Sequence, residues 1–308
     1  MTFRSPEDKA AGVDAAEAVR ERLQRDVPIR NLWVIPKKDI DNALTNSGYP
    51  TDEALNAADS RQLAVQFRAD EYVTGQIARQ PDGKLKVDAR LILSRDASLV
   101  QPLPSVVVSK ANDVGSQLSR EIQAARKQLE GEKECLTLAR QKQFDQAIAK
   151  AEEGIKEYPR ATLARICKAN AMAEAKRSPD EILAITKEIL DIDPRSRPAL
   201  RLAYQAYTDK GQQDLATEAL TQLLAADPSN VQLQTAVLAE LGKQKQYGKA
   251  IPIVEAALKE NPGDPDLLEM GFLVYLAAEQ WKGAVTVGEE LAQVDTAAAD
   301  STYFVRLA

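Results

Sequence analysis

Hydrophobic positions in the second half of the chain follow a helical spacing that repeats with a fixed period. Pro159, Pro194, Pro228 and Pro262 are 35, 34 and 34 residues apart, and Asp or Asn precedes three of them. Small or apolar residues stand eight, five and four positions before most of these prolines, which is the pattern of one buried helix face. A second apolar helix pattern precedes the first in each period. Each period therefore predicts a helical hairpin, and the recurrence predicts a repeat array.

Two further positions recur within the periods. Twelve residues before each proline, and at the same offset in a fifth unit, the chain has Ala147, Ile182, Ala216, Ala250 and Ala284. Three residues earlier, three of the units carry an aromatic residue, namely Phe144, Tyr247 and Trp281. With the closing Asp-Pro or Asn-Pro, these features resemble the tetratricopeptide repeat. The match is imperfect, because Pro179 and Gln213 replace the aromatic residue in units two and three and only Gly211 supplies the usual glycine between the helices.

The resemblance implies an all-α solenoid of five helical hairpins over residues 127–308. Its units are expected at about 127–161, 162–196, 197–230, 231–264 and 265–298, followed by the start of a further helix. In such a stack the first helix of each hairpin lines a concave groove. That geometry places six polar residues in the groove: Arg140, Arg201, Gln205, Gln232, Lys243 and Glu269. A mixed polar groove suits an extended peptide or a helix.

The first 126 residues have a different pattern. A helical stripe from Ala15 to Leu23 precedes the run Leu32-Trp33-Val34-Ile35, which predicts a short buried strand, and a further helix is expected over 37–44. After Asp70 the apolar residues alternate, and the turn at 81–84 predicts a hairpin of two long strands. A strand at 106–108 and a helix from about 112 to 129 follow. This order predicts an α/β sandwich domain over residues 1–126, joined rigidly to the repeats.

Part of this region resembles a known family. The residues Leu32-Trp33-Val34-Ile35-Pro36, Leu63-Ala64 and 68–75 (Arg-Ala-Asp-Glu-Tyr-Val-Thr-Gly) are similar to the amino-terminal domain of TolB and to related domains of curli-secretion and flagellar outer-membrane proteins. The resemblance covers about residues 3–110 and implies a non-catalytic, protein-contacting domain outside the cytoplasm. That family begins with a strand, of which only residues 3–5 remain here. We therefore expect the natural reading frame to start upstream, with a signal peptide.

Composition narrows the chemistry. The chain has 308 residues and a formal net charge of −6. Residues 1–126 hold 18 basic and 18 acidic side chains, so the repeats carry the remaining 22 and 28. Neither part has the basic field that nucleic-acid binding requires. The absence of histidine removes the usual general base and zinc ligand, so we expect no catalytic site, metal or cofactor. No run is long and apolar enough to predict a transmembrane segment.

The two cysteines and the C-terminal residues are the remaining candidates for a site. Cys135 and Cys167 lie on the first helices of neighbouring repeat units, where either a disulfide or two buried thiols would fit. A disulfide would suit an oxidising compartment. Tyr303, Phe304 and Leu307 begin another apolar helix with nothing after them to cover it, so they are a candidate docking site for a partner.

These observations predict a non-enzymatic scaffold or structural subunit that binds one or more proteins. We expect it to belong to a larger, membrane-attached assembly outside the cytoplasm, peripheral to the membrane and in the periplasm in particular. The alternative is a cytoplasmic regulatory or chaperone-type tetratricopeptide adaptor. An in-frame signal sequence upstream of Met1 would decide between these two compartments.

Overall fold

The protein is mostly helical, with a small sheet near its N-terminus. The computed structural model describes residues 2–5 and 9–294. The chain packs as two compact units, one formed by Met1–Arg177 with Ile185–Pro194 and the other by Ser178–Ala184 with Arg195–Ala308. The predicted boundary at residue 126 does not coincide with this division, because the first unit contains the sheet together with the first helical hairpins.

The N-terminal part of the first unit alternates helices and strands. Its elements are β1 (Thr2–Arg4), α1 (Lys9–Asp26), α2 (Lys37–Asn46), α3 (Ala57–Gln66), β2 (Glu71–Arg79), β3 (Leu85–Leu93), β4 (Val100–Pro102), β5 (Val106–Val108) and α4 (Val114–Arg126). The sheet order is β1-β2-β3-β4, with β5 also paired to β3. β1 runs parallel to β2, and the other pairs are antiparallel. The long hairpin predicted from the alternating residues is confirmed.

One face of this sheet carries the core. Along β3, alternate residues from Leu85 to Leu93 are buried, whereas Asp88 and Arg90 between them are exposed. Helix α1 packs on α4, and the wholly buried Leu118 and Ile122 of α4 join the same core. Burying each of these side chains contributes about 2 kcal/mol. The predicted sandwich is thus a single small sheet, in which three of the five strands have only three residues. Membership of the TolB-like family stays a prediction.

The prediction of a buried strand at residues 32–35 is wrong. These residues pair with no strand, and Trp33 has 60% of its surface exposed. Leu32 and Val34 on either side of it do pack against the core. The β-branched run therefore has the alternation of a strand, with one set of side chains facing inward, but it lies at the edge of the core without a partner strand.

Helical hairpins make up the rest of the described chain. They are α5 (Leu129–Arg140) with α6 (Phe144–Glu157), α7 (Leu163–Glu174) with α8 (Pro179–Ile192), α9 (Arg197–Asp209) with α10 (Gln213–Ala226), α11 (Val231–Lys243) with α12 (Tyr247–Glu260), and α13 (Pro265–Ala277) with α14 (Trp281–Val294). Two helices therefore occur in each of the five predicted repeat units. The boundary between the two compact units runs through α8.

The turn within each hairpin has the same backbone conformation. The residue two positions after the first helix has a positive φ in all five: Lys142 (61°), Lys176 (56°), Gly211 (68°), Lys245 (57°) and Glu279 (57°). The next N–H bonds back to the carbonyl five residues earlier, as from Gln246 to Leu241 at 2.9 Å. This arrangement is the Schellman ending of a helix, which normally favours glycine. Four of the five turns keep its geometry without glycine.

The recurrent small position is buried in every hairpin. Ala147, Ala216 and Ala250 are wholly buried, Ala284 is 2% exposed, and the larger Ile182 is 9% exposed. A small side chain there lets the two helices of a hairpin approach closely. The aromatic position is different, because Trp281 is 61% exposed. The single 35-residue interval has a local cause: four residues, 175–178, separate α7 from α8, whereas three separate the helices of each other hairpin.

A buried polar network joins the sheet to the first hairpins. The side-chain oxygen of Gln101, the central residue of β4, accepts hydrogen bonds from Gln128 Nε2 (2.8 Å), from the backbone N–H of Thr162 (2.7 Å) and from the Thr162 hydroxyl (2.9 Å). Gln128 in turn accepts from the N–H of Ala164 at 3.2 Å. All three side chains are wholly buried. These bonds tie the sheet to the residues that begin α5 and α7, and the rigidity of the junction near residue 126 stays a prediction.

Candidate functional site

The six predicted groove residues are all exposed. Arg140 ends α5 in the first compact unit, whereas the other five residues lie in the second unit: Arg201 and Gln205 on α9, Gln232 and Lys243 on α11, and Glu269 on α13. Helices α11 and α13 pack against each other. The structure therefore brings together the helices that carry Gln232, Lys243 and Glu269. A role for these residues in binding stays a prediction.

Helix α13 exposes a row that the sequence reasoning did not single out. Asp266, Glu269, Leu273 and Ala277 follow one another at spacings of three and four residues, and all are exposed. Residues at these spacings share one face of a helix. Leu273 is 41% exposed, although Leu268 and Phe272 beside it are almost completely buried. Leu273 lies on the same predicted groove face as Glu269. Because leucine is apolar, the sequence favoured a place for it in the core.

A polar cluster lies between α10 and α11, directly behind Lys243. Glu240 is buried and accepts hydrogen bonds from Gln213 Nε2 and from Gln244 Nε2, the latter at 3.1 Å. Gln244 also donates to the hydroxyl of Thr217 at 2.6 Å, and Lys243 Nζ lies 3.5 Å from the carboxylate. Burial raises the pKa of Glu240, but the hydrogen bonds from Gln213 and Gln244 together with the nearby Lys243 outweigh burial and leave the pKa below its ordinary value.

Cys135 and Cys167 form a disulfide in the structure. It joins α5 to α7 with a Cα–Cα distance of 6.3 Å. Its surroundings are small apolar side chains, since Ala147, Ala151 and Ala171 pack in the same cluster. The disulfide therefore lies within the apolar packing between neighbouring first helices, and neither cysteine is a free thiol in this structure. Whether the two thiols are oxidised in the natural compartment stays a prediction.

The predicted C-terminal docking residues Tyr303, Phe304 and Leu307 lie outside the described residues. The last described helix, α14, exposes several apolar side chains: Trp281 (61%), Val285 (39%) and Val294 (49%).

The described residues contain neither a metal-binding group nor a membrane-spanning helix. Within residues 2–5 and 9–294, no three His, Cys, Asp or Glu side chains are grouped so that they could hold a metal ion. Over the same part of the chain, every helix is too short or too polar to cross a bilayer. A polar cleft of about 370 Å³ lies between α1 and α4, lined among others by Asp14, Glu17 and Arg22.

Comparison with known proteins finds similar helical arrangements at low identity. A structure of the MamA protein matches with a TM-score of 0.41 and 16% identity, covering 56% of this chain and 94% of that one. YrrB, described as a TPR protein with an unusual peptide-binding site, matches with a TM-score of 0.38 and 18% identity over 51% of this chain and 79% of its own. The structure of Naa15/Naa10 bound to HypK-THB matches with a TM-score of 0.45 and 19% identity, covering 55% of this chain and 25% of that one.

These values assign neither a family nor a function. No protein-family model matches the chain, and no curated protein matches it.

Proposed function

We propose that this protein is a non-enzymatic scaffold that holds another protein on the exposed faces of its first helices, as tetratricopeptide proteins do. The observation that carries the proposal is the exposed row on α13. The buried face of α13 packs into the core through Leu268 and Phe272. Leu273 is therefore left uncovered by packing within the chain. An exposed leucine between Glu269 and Ala277 combines an apolar anchor with polar contacts. This mixture suits an extended peptide or an amphipathic helix.

The charged residues beside this row favour a partner segment that carries both basic and acidic side chains. Asp266 and Glu269 are exposed on α13, and Lys243 is exposed on α11, which packs against α13. The hydrogen bonds of Gln213 and Gln244 to Glu240 keep that carboxylate ionised behind Lys243. Because these exposed charges are separated along two helices, they can define the register of a bound segment.

We also propose that the scaffold works outside the cytoplasm, as a subunit of a membrane-attached assembly. Two observations support this location: the pairing of Cys135 with Cys167, which an oxidising compartment favours, and the TolB-like sequence of the first 110 residues. The alternative, a cytoplasmic adaptor, requires reduced cysteines. The mass of the peptides around Cys135 and Cys167, isolated from the native host under nonreducing conditions, distinguishes the two.

Site-specific crosslinking tests the protein-binding surface. A photo-crosslinking residue at position 273 is compared with one at Leu215, which is 42% exposed but lies on the second helix α10. The expected result is a specific crosslinked protein from position 273 that is absent from position 215. Glu269→Lys should reduce its yield, whereas Leu215→Arg should not. Equal crosslinking from the two positions, or no effect of Glu269→Lys, would contradict the proposed surface.

A further inference from the structure

The loop between α1 and α2, residues 27–36, presents two large apolar side chains to solvent. Ile29 is 75% exposed and Trp33 is 60% exposed, which makes them two of the most exposed large hydrophobic residues in the described chain. They are four residues apart, so their Cα atoms lie within about 14 Å of each other. We call this segment the Trp33 loop.

The loop is held in place from the inside. Val27, Leu32 and Val34 pack against the core of the first unit. The carbonyl of Pro28 accepts hydrogen bonds from the N–H groups of Asn31 (2.8 Å) and Leu32 (3.2 Å), which closes one turn. Two further hydrogen bonds, from neighbouring helices, hold the backbone of the loop.

Those two bonds come from α1 and α4. Gln24 Nε2 donates to the carbonyl of Val34 at 3.2 Å, and Arg126 Nη1 donates to the carbonyl of Asn31 at 3.5 Å. Arg126 itself is paired through Nε with Glu71 of β2. The exposure of Ile29 and Trp33 is therefore a property of a backbone held in place, because Val27, Leu32 and Val34 of the same loop pack against the core.

Cationic residues flank this apolar pair along the sequence. Residues 25–38 contain Arg25, Arg30, Lys37 and Lys38 against the single carboxylate of Asp26, a formal local charge of +3, and of these cations Lys37 is paired with Asp41 beyond the segment. Asp26 is paired with Arg22 and lies 3.8 Å from Arg25, and the side chains of Arg25 and Arg30 are both exposed. Tryptophan is favoured at the boundary between lipid headgroups and acyl chains, and nearby Lys or Arg side chains attract anionic headgroups.

We propose that the Trp33 loop is a membrane-contact site that inserts Ile29 and Trp33 into the interface of an anionic lipid bilayer, with Arg25, Arg30 and Lys38 on the headgroups. The proposal goes beyond protein binding and does not depend on it, because it uses only residues of the first unit. A bilayer fits the observations better than a protein pocket, since the loop is a projecting apolar tip with positive charge on both sides along the chain.

The chain provides its own reporter for the test. It contains two tryptophans, Trp33 and Trp281, so the variant Trp281→Phe leaves Trp33 as the single tryptophan fluorophore. Vesicles of phosphatidylcholine with roughly 30% phosphatidylserine are added to the full chain. The expected result is a shift of Trp33 emission to shorter wavelength, with a much smaller shift for phosphatidylcholine alone. Raising the salt from about 0.1 M to about 0.5 M should weaken the anionic response, because the headgroup attraction is screened.

Vesicle flotation of variants then assigns the site. Ile29→Ser with Trp33→Ser, and separately Arg25→Glu with Arg30→Glu, should each reduce the bound fraction by roughly tenfold or more. The matched controls are Val65→Ser, which removes an apolar side chain that is 53% exposed on α3, and Lys110→Glu, which reverses an exposed charge. Both controls should bind as the wild type does. Circular dichroism checks that each variant is folded.

Three outcomes would overturn the proposal. The first is the absence of any emission shift or flotation with the anionic vesicles while the protein is folded. The second is a loss of binding in the Val65 or Lys110 control as large as that in the loop variants. The third is a shift of Trp33 emission caused by a purified partner protein, with none caused by vesicles, which would make the Trp33 loop a protein-docking site instead.

Discussion

The side-chain amide of Gln128 donates from Nε2 to Oε1 of Gln101 at 2.8 Å, and neither side chain is exposed to solvent. Gln101 lies on the sheet side of the junction and Gln128 at the start of the first helical hairpin. The same Gln101 oxygen accepts the backbone N–H of Thr162, before the second hairpin. One residue thus connects the sheet to two successive hairpins, and its side chain bonds to three donors and two acceptors.

Gln101→Ala is expected to destabilise the first unit strongly. The change leaves the buried N–H of Thr162, the amide of Gln128 and the carbonyl of Arg160 without this partner. The expected loss in the free energy of unfolding is on the order of 3 kcal/mol. Urea unfolding, followed by Trp33 fluorescence in a Trp281→Phe background, measures it. The exposed Gln117→Ala on α4 is the control and should change stability by less than about 0.5 kcal/mol; equal effects of the two changes would contradict a role for the network.

Reduction of the Cys135–Cys167 bond is expected to lower stability without unfolding the chain at room temperature. Its cysteines are 32 residues apart, and bonds that close loops of this size contribute about 2 to 4 kcal/mol. Urea unfolding with and without a reductant measures the difference. A variant in which both cysteines are replaced by alanine controls for other effects of the reductant, since its stability should not respond. An equally large response in that variant would show that the reductant acts elsewhere.

Gly131→Ala should separate α5 from α6. A Cβ atom at this position would lie 2.6 Å from the carbonyl oxygen of Lys150 and 2.8 Å from the backbone nitrogen of Gly154, so backbone must move. The expected cost is about 1 to 3 kcal/mol. Gly242→Ala on α11 is a matched control, because no atom lies within 4 Å of its Cβ position. That change should stabilise by up to about 1 kcal/mol through helix propensity, and thermal unfolding of both variants compares the signs.

Lys245→Gly is expected to stabilise the second unit. Lys245 has a φ of 57°, a conformation that costs a residue with a Cβ roughly 1 kcal/mol and costs glycine almost nothing. The equivalent turn already has Gly211, where Gly211→Ala should destabilise by a similar amount. Lys249→Gly, on the exposed side of α12, is the control and should destabilise by about 1 kcal/mol. Thermal unfolding of both variants measures the two effects. If Lys245→Gly and Lys249→Gly changed stability in the same direction, the left-handed conformation at Lys245 would be contradicted.

Acidification is expected to remove a stabilising contribution of Glu240. The pKa of Glu240 is lowered in the folded protein from an ordinary value of 4.5, because the hydrogen bonds of Gln213 and Gln244 and the charge of Lys243 together outweigh burial. A lowered pKa gives stability that is present above pH 4.5 and is lost as the pH falls through the folded-state value. Glu240→Gln should therefore lower stability at about pH 7, and this effect should shrink as the pH falls below 4.5.

Urea unfolding of the wild type and Glu240→Gln at several pH values measures this difference. Glu260→Gln, an exposed change on α12, is the control and should leave the pH dependence of the wild type unchanged. A Glu240→Gln difference that stays constant with pH would contradict the lowered pKa.

The sequence alone determined the elements and their order over most of the chain. Apolar residues at helical spacing, ended by Asp-Pro or Asn-Pro, locate the hairpins because the helix period and the proline restriction are local properties. The alternation after Asp70 locates the long strands for the same reason. The six predicted groove residues are all exposed, and their role in binding stays a prediction.

The tertiary structure decided what depends on residues distant in sequence. Residues 32–35 have a strand pattern, but a strand needs a partner, and the sheet has none beside them, so Trp33 is exposed. Gln101 and Thr162 are ordinary polar residues until folding brings their atoms within hydrogen-bond distance. The exposure of Leu273 depends equally on which neighbours cover α13. Local periodicity thus predicts helices and strands, whereas burial, pairing and exposure are set by contacts that no short stretch of sequence contains.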